Sequence, residues 1–176
     1  EEGLMTKGLY QQFKEIPLAE ESTWQTEISG LCNQIRVGKN HEGFAGILFE
    51  LVSDETMGNS QHTGSIYFRS RKSYEIWENE RKSTATFDIL ICKVQDEEKL
   101  SYFFKLVKNL LLYPAFDLKK LADRTRVYKN IHNLMEIFRN INMPLESTIM
   151  GLWGELFVIF RSQKINDTIM AWHKDP

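Results

Sequence analysis

The sequence predicts an α+β fold, in which a β-rich N-terminal part built on an antiparallel sheet is followed by three long helices. Three observations predict it. Over residues 31–94 apolar residues tend to recur at every second position, the signature of strands buried on one face. From Asp96 onward they recur every three or four positions, which places them on one face of a helix. With 42% apolar and 12% aromatic residues among 176, the chain has enough material for a sizeable core.

A short amphipathic helix is expected over residues 5–16, where Leu9, Phe13 and Ile16 share a face and Pro17 stops it. Residues 32–37 and 44–52 read as a hairpin joined by a turn over 38–43. The polar stretch 53–64 is a loop before a short strand at 65–69, and 73–77 reads as an edge strand. Residues 85–94 predict the central strand, because Phe87, Ile89, Leu90, Ile91 and Val94 fill both of its faces.

The first long helix carries Leu100, Phe103, Phe104, Val107, Leu110 and Leu111 as one stripe and ends before Pro114. Asp96, Glu97 and Glu98 suit its positive N-terminal end. The second runs over 117–141, with Leu118, Leu121, Tyr128, Ile131, Leu134, Met135 and Phe138 inward and Pro144 closing the connection. The third covers about 147–162. The chain thus divides into a β-rich part (1–94), a helical part (95–143) and a last part (144–176).

Composition narrows the function classes. A formal net charge of −2 gives no global positive field, so any contact with DNA must use a local patch. Cys32 and Cys92 are too few for a disulfide framework and form no CxxC pair, which suits a reducing, cytoplasmic setting. The longest apolar run, 149–160, is shorter than the roughly twenty residues of a membrane helix and contains Glu155. Residues 1–10 are too polar for a signal peptide, and no membrane partner is expected.

That apolar run holds the sharpest signal. Between Thr148 and Arg161 the one charged residue is Glu155, whose helical face-mates are Gly151, Leu152, Val158 and Ile159. A carboxylate so placed must be neutral or must meet a cation, a metal or several donors. Gly151 and Gly154 each cost about 1 kcal/mol against alanine inside a helix, which close approach of a backbone or ligand would explain. Spacing alone leaves two readings open: a structural carboxylate paired with arginine or backbone amides, and a functional acid.

The string GLWGELFVIF from Gly151 to Phe160 follows the long helix bearing Leu134, Met135 and Phe138, and it precedes Ala171 and Trp172. It resembles the PD-(D/E)XK, restriction-endonuclease-like proteins that occur beside bacterial restriction-modification genes. The resemblance covers roughly residues 87–172. It implies that the last helix starts a nuclease-like core and that Glu155 is a catalytic acid which helps to hold Mg²⁺. It also implies that the remaining motif residues, an Asp and a Glu-x-Lys strand, follow Trp172 beyond Pro176, so that this portion alone is inactive. The function so implied is phosphodiester hydrolysis in restriction or phage defence, with DNA as substrate and subunits of a defence complex as partners. Glu155 alone would hold Mg²⁺ poorly, since that ion takes octahedral oxygen coordination from carboxylates, water and substrate phosphate. The rival function is a non-catalytic module that recognises DNA or assembles such a complex.

A second, basic set is Arg69, Arg71, Lys72, Arg81 and Lys82, interleaved with Tyr67, Phe68, Tyr74 and Trp77. Such a set can grip phosphates and stack a base, but Glu75, Glu78 and Glu80 dilute it. It reads first as a charged guard on a sheet edge and second as a DNA contact. The basic residues of the second helix read as a solvated face. His132 and Glu136 stand four apart, a spacing read as a surface hydrogen-bonded pair rather than a metal site. The triplets Glu80-Arg81-Lys82 and Glu97-Glu98-Lys99 lie on no apolar strand. The strand at 85–94 offers Asp88 and Lys93 but has Ile91 where a Glu-x-Lys motif needs its acid.

Overall fold

The computed structural model describes residues 8–30, 32–50, 58–112 and 117–141, with side chains through Arg139. Residues up to Phe138 form one compact unit, and 139–176 form a second, of which the described part is a helix end.

Helix α1 spans Leu9–Glu15 and buries Leu9 and Phe13, as the spacing predicts. Lys39 closes its C-terminal end: the ammonium donates to the Ile16 carbonyl at 2.5 Å and stands 4.5 Å over the Phe13 ring. Six strands follow: β1 (Thr23–Ser29), β2 (Cys32–Asn40), β3 (Ala45–Glu50), β4 (Gln61–Thr63), β5 (Ile66–Glu78) and β6 (Arg81–Cys92). Their order is β1-β2-β3-β6-β5-β4, and β1 pairs in addition with β5. The strands β1, β2, β3, β6 and β5 therefore close into a barrel, which removes the open edges of a flat sheet.

The expectation of an antiparallel sheet needs correction. Thr23, Trp24 and Gln25 pair in parallel with Glu75, Ile76 and Trp77, so the sheet is mixed. Closing a ring of alternating strands with an odd number of members forces one parallel neighbour. The edge strand expected at 73–77 is likewise paired on both sides, with β6 and with β1.

Period two explains most strands, and glycine explains the rest. Register puts Leu48 opposite Ile89 and Gly46 opposite Ile91, so these side chains share the barrel's inner face. There they join Trp24, Ile76 and Phe87 in one cluster. The indole of Trp24 needs the space that Gly38 and Gly46 leave open, since a Cβ on Gly46 would come within 2.5 Å of it. Gly38 therefore belongs to β2 rather than to the turn expected at 38–43. The turn itself is shorter: Asn40 Oδ1 accepts from Glu42 N and Phe44 N at 3.1 and 2.8 Å, and Gly43 takes a φ of +83°.

The opposite face of β3 and β6, with Ile47, Phe49, Leu90 and Cys92, is fully buried as well. This matches the expectation of a strand apolar on both sides. Helix α2 (Glu97–Val107) begins where Asp96 accepts from Lys99 N at 2.9 Å, and it runs into a π-helical turn over Lys108–Leu112. Helix α3 (Leu121–Ile141) lays Tyr128 6.0 Å from the Phe68 ring and Phe138 6.0 Å from Phe103. The chain enters α3 through Gln34, which donates to Asp117 and accepts from Leu118 N. The third helix expected at 147–162 lies outside the described residues.

Asn79 and Glu80 form the two-residue turn between β5 and β6 with φ values of +50° and +63°. Such a turn favours Asn-Gly, and a glutamate there bears strain from its Cβ. Glu80→Gly should raise stability by about 1 kcal/mol in urea denaturation. A decrease would show that the Glu80 side chain contributes more than its backbone costs.

Candidate functional site

The barrel has two mouths of different chemistry. At one, Arg36 donates to Glu50 at 2.9 Å and to Glu78 at 3.0 Å while its guanidinium lies 5.5 Å from the Phe87 ring centre. The single guanidinium bridges two carboxylates and ties the middle of β2 to the ends of β3 and β5. It closes that mouth as a structural plug.

At the other mouth the first turn of β1, the β2–β3 turn and the end of β6 surround a half-open cleft of about 210 Å³. Trp24, Phe44, Tyr74 and Ile91 form its apolar wall, and Arg69 and Lys93 supply positive charge. Lys93 stands 4.5 Å over the Tyr67 ring and 5.5 Å over that of Phe44, which holds its ammonium at the rim. Tyr74 meets the edge of Trp24, and its buried hydroxyl has no hydrogen-bond partner. Burial pushes the phenol's pKa up, and the Arg69 guanidinium beside it pulls it back.

The basic set from the sequence lies along β5 and β6. Arg69, Arg71, Lys72, Arg81 and Lys82 are all exposed. Lys82 is engaged, since it pairs with Glu75 at 3.1 Å and covers Trp77. Arg81 starts β6 directly after the hairpin turn, so the Glu80-Arg81-Lys82 triplet aims no pair of ligands at one point. Arg69, Arg71 and Lys72 occupy the stretch where β5 leaves β4 and joins β1, and a β-bulge falls there. Among the described residues this stretch has no strand on its outer side.

Asp88 holds the bulge. Fully buried, it accepts from Arg71 N at 2.6 Å and from the Ser70 hydroxyl at 3.3 Å. Its carboxylate is thus spent on backbone geometry, which agrees with the missing acid at Ile91. Lys93, set aside with that motif, turns up at the cleft instead. The sequence offers no local signal for this, because Lys93, Arg69 and Tyr74 meet only through the β5–β6 register and the barrel's closure.

His132 Nδ1 lies 3.3 Å from Gln61 Oε1, and among the described residues no three His, Cys, Asp or Glu side chains gather as a metal site. Burial pushes the Cys92 thiol up to about 12 and also raises that of Cys32, which makes both poor nucleophiles. Glu155, with Gly151 and Gly154, lies outside the described residues. No helix among those described is long and apolar enough to cross a membrane. No family model, curated protein or solved structure matches the chain.

Proposed function

We propose that this chain is the N-terminal region of a Mg²⁺-dependent DNA endonuclease of restriction or phage defence, with the barrel as its DNA-contacting element. One observation supports the contact: the stretch of β5 between its pairings with β4 and β1 presents Arg69, Arg71 and Lys72 together, beside a cleft that adds Lys93. Cations on a bent, outward-facing strand reach phosphates without needing an overall positive charge. Glu155 is the proposed metal-holding acid, and its support is the GLWGELFVIF resemblance together with the cost of leaving a carboxylate unpaired among apolar neighbours. Mg²⁺ at such a site would polarise the scissile phosphate and lower the pKa of its bound water.

A second reading, a non-catalytic recognition or assembly module of a defence complex, is favoured by the same surface, which grips phosphates without any metal. Two measurements separate them. Duplex DNA binding across a salt series should show log K falling with log salt, and Arg71→Ala with Lys72→Ala should flatten the slope by about 2. An unchanged slope would remove these residues from the interface. In the full-length protein Glu155→Gln should abolish Mg²⁺-dependent cleavage and leave duplex binding intact. Undiminished cutting would exclude Glu155 from catalysis.

A further inference from the structure

The cleft at the barrel mouth contains more unmatched donors than a structural role explains. Neither Arg69 nor Lys93 forms an ion pair among the described residues. Glu42, the one carboxylate on the rim, accepts from Asn40 Nδ2 at 3.4 Å. Beneath them lies the buried Tyr74 hydroxyl, which has the Arg69 guanidinium beside it and no acceptor for its own proton. Buried polar groups are almost always satisfied, so a buried hydroxyl without an acceptor, in a cleft that two cations line, suggests a missing acceptor. At the opposite mouth the Arg36 guanidinium already has its acceptors in Glu50 and Glu78.

The shape limits that acceptor. About 210 Å³ is less than the roughly 300–1,000 Å³ of pockets that take drug-sized ligands, so a compact group must enter from one side. Arg69 offers a planar fork, Lys93 a point charge held over two rings, and Tyr74 a single hydroxyl. A carboxylate has two acceptor atoms in one plane and a single charge. A phosphomonoester has three terminal oxygens in a tetrahedral array and carries close to two charges at neutral pH, which matches two unpaired cations and a hydroxyl.

We infer that the cleft formed by Arg69, Lys93 and Tyr74 at the barrel mouth binds a phosphomonoester, and that this is the terminal phosphate of a nucleic-acid strand. The second half rests on the DNA-contact reading above; the first half stands without it. Arg69 and Lys93 neutralise the phosphate, the Tyr74 hydroxyl donates to its innermost oxygen, and Trp24 and Phe44 pack against the adjoining sugar.

The test compares a short single strand bearing a 5′-phosphate with the same strand ending in a 5′-hydroxyl, alongside inorganic phosphate, a nucleoside 5′-monophosphate and an acidic peptide. Binding is followed by calorimetry on the whole chain. The phosphorylated strand should bind about tenfold or more tightly than its hydroxyl counterpart, and Lys93→Ala or Arg69→Ala, both exposed and harmless to the core, should erase that preference. Tyr74→Phe should bind phosphate about threefold or more weakly, while its thermal midpoint without ligand stays level or rises.

Equal binding of the two strands with no binding of the monophosphate overturns the inference, as does a preference that survives both alanine substitutions. Tighter binding of the acidic peptide than of any phosphate assigns the cleft to a protein partner and overturns it too. The two halves fail separately. Monophosphate binding that is sensitive to Lys93→Ala, with no binding of any strand or duplex, keeps the phosphate site and rejects the DNA reading. Salt-dependent duplex binding without a 5′-phosphate preference does the reverse.

Discussion

Gly46→Ala should destabilise the protein by about 2–3 kcal/mol, and Gly46→Val by more, as measured by urea denaturation. An added Cβ would lie 2.5 Å from one atom of the Trp24 ring and about 3 Å from two others, closer than packed carbons approach. Trp24 is buried in the inner cluster with Ile89 and Ile91, so the indole can move toward the cleft only by giving up that packing. An ordinary exchange of glycine for alanine stiffens the unfolded chain and stabilises by about 0.4–1 kcal/mol, a gain too small to offset this clash. Gly38→Ala, whose nearest contacts are 3.1–3.3 Å, should cost clearly less. Trp24→Phe combined with Gly46→Ala should be less destabilised than the sum of the single changes, because the smaller ring relieves the clash. If Gly46→Ala alone shifts the midpoint by less than about 0.5 kcal/mol, the indole is not held as described.

The second large effect is expected at Asp88. Asp88→Ala should cost about 3 kcal/mol, since it removes charge-assisted hydrogen bonds and leaves the Arg71 amide without its acceptor. Asp88→Asn keeps an oxygen in place and should cost about half as much. The damage should travel. The bulge between Arg69 and Lys72 bends β5 away from β4 toward β1, so its loss weakens the pairing of Glu75, Ile76 and Trp77 with the first strand. Faster amide hydrogen exchange over 75–77 than over the distant pairing of β2 with β3 would report that local opening. Uniformly faster exchange would indicate a general loss of stability, and the bulge would then have no special part in closing the barrel.

Both predictions fall on residues whose significance the sequence conceals. Gly46 sits in an apolar run and Asp88 in the most apolar strand, and neither announces a partner. In sequence, Gly38 is a turn residue and Asp88 a stray acid beside a nuclease-like motif that lacks its glutamate. The structure gives each a neighbour from a distant strand: an indole for Gly38, a bulge for Asp88. β1 is the strand that period two fails to predict, because the face that carries Trp24 continues with Thr26 and an exposed Ile28 and so offers only one buried apolar residue. It forms nonetheless, since Trp24 fills the glycine slot and the parallel pairing with β5 satisfies its backbone.

The candidate interface divides in the same way. Arg69, Arg71 and Lys72 are visible in the sequence as a basic run. Their placement on a bend between two strand pairings depends on where β4 stops and β1 begins to pair. Lys93 belongs to the cleft because the end of β6 brings it beside β5, where its N–H donates to the Ser65 carbonyl and its ammonium reaches the rings of Tyr67 and Phe44. Local spacing cannot express that meeting.

By itself the sequence determined the elements whose cause is local. The α1 stripe, the cap and stripe of α2, most of the α3 stripe and the doubly apolar half of β6 follow from periodicity and from residues three or four apart, whereas Leu121, expected inward, opens α3 at 66% exposure because the helix starts there rather than at 117. Tertiary structure decided whether the sheet would lie open or close on itself, and with it the parallel pairing, the two mouths and the company each charged side chain keeps. Closure couples strands some fifty residues apart, such as Trp24 and Ile76, through backbone hydrogen bonds. Such bonds are blind to side-chain identity, whereas the glycine slot and the bulge that permit them depend on shape in three dimensions.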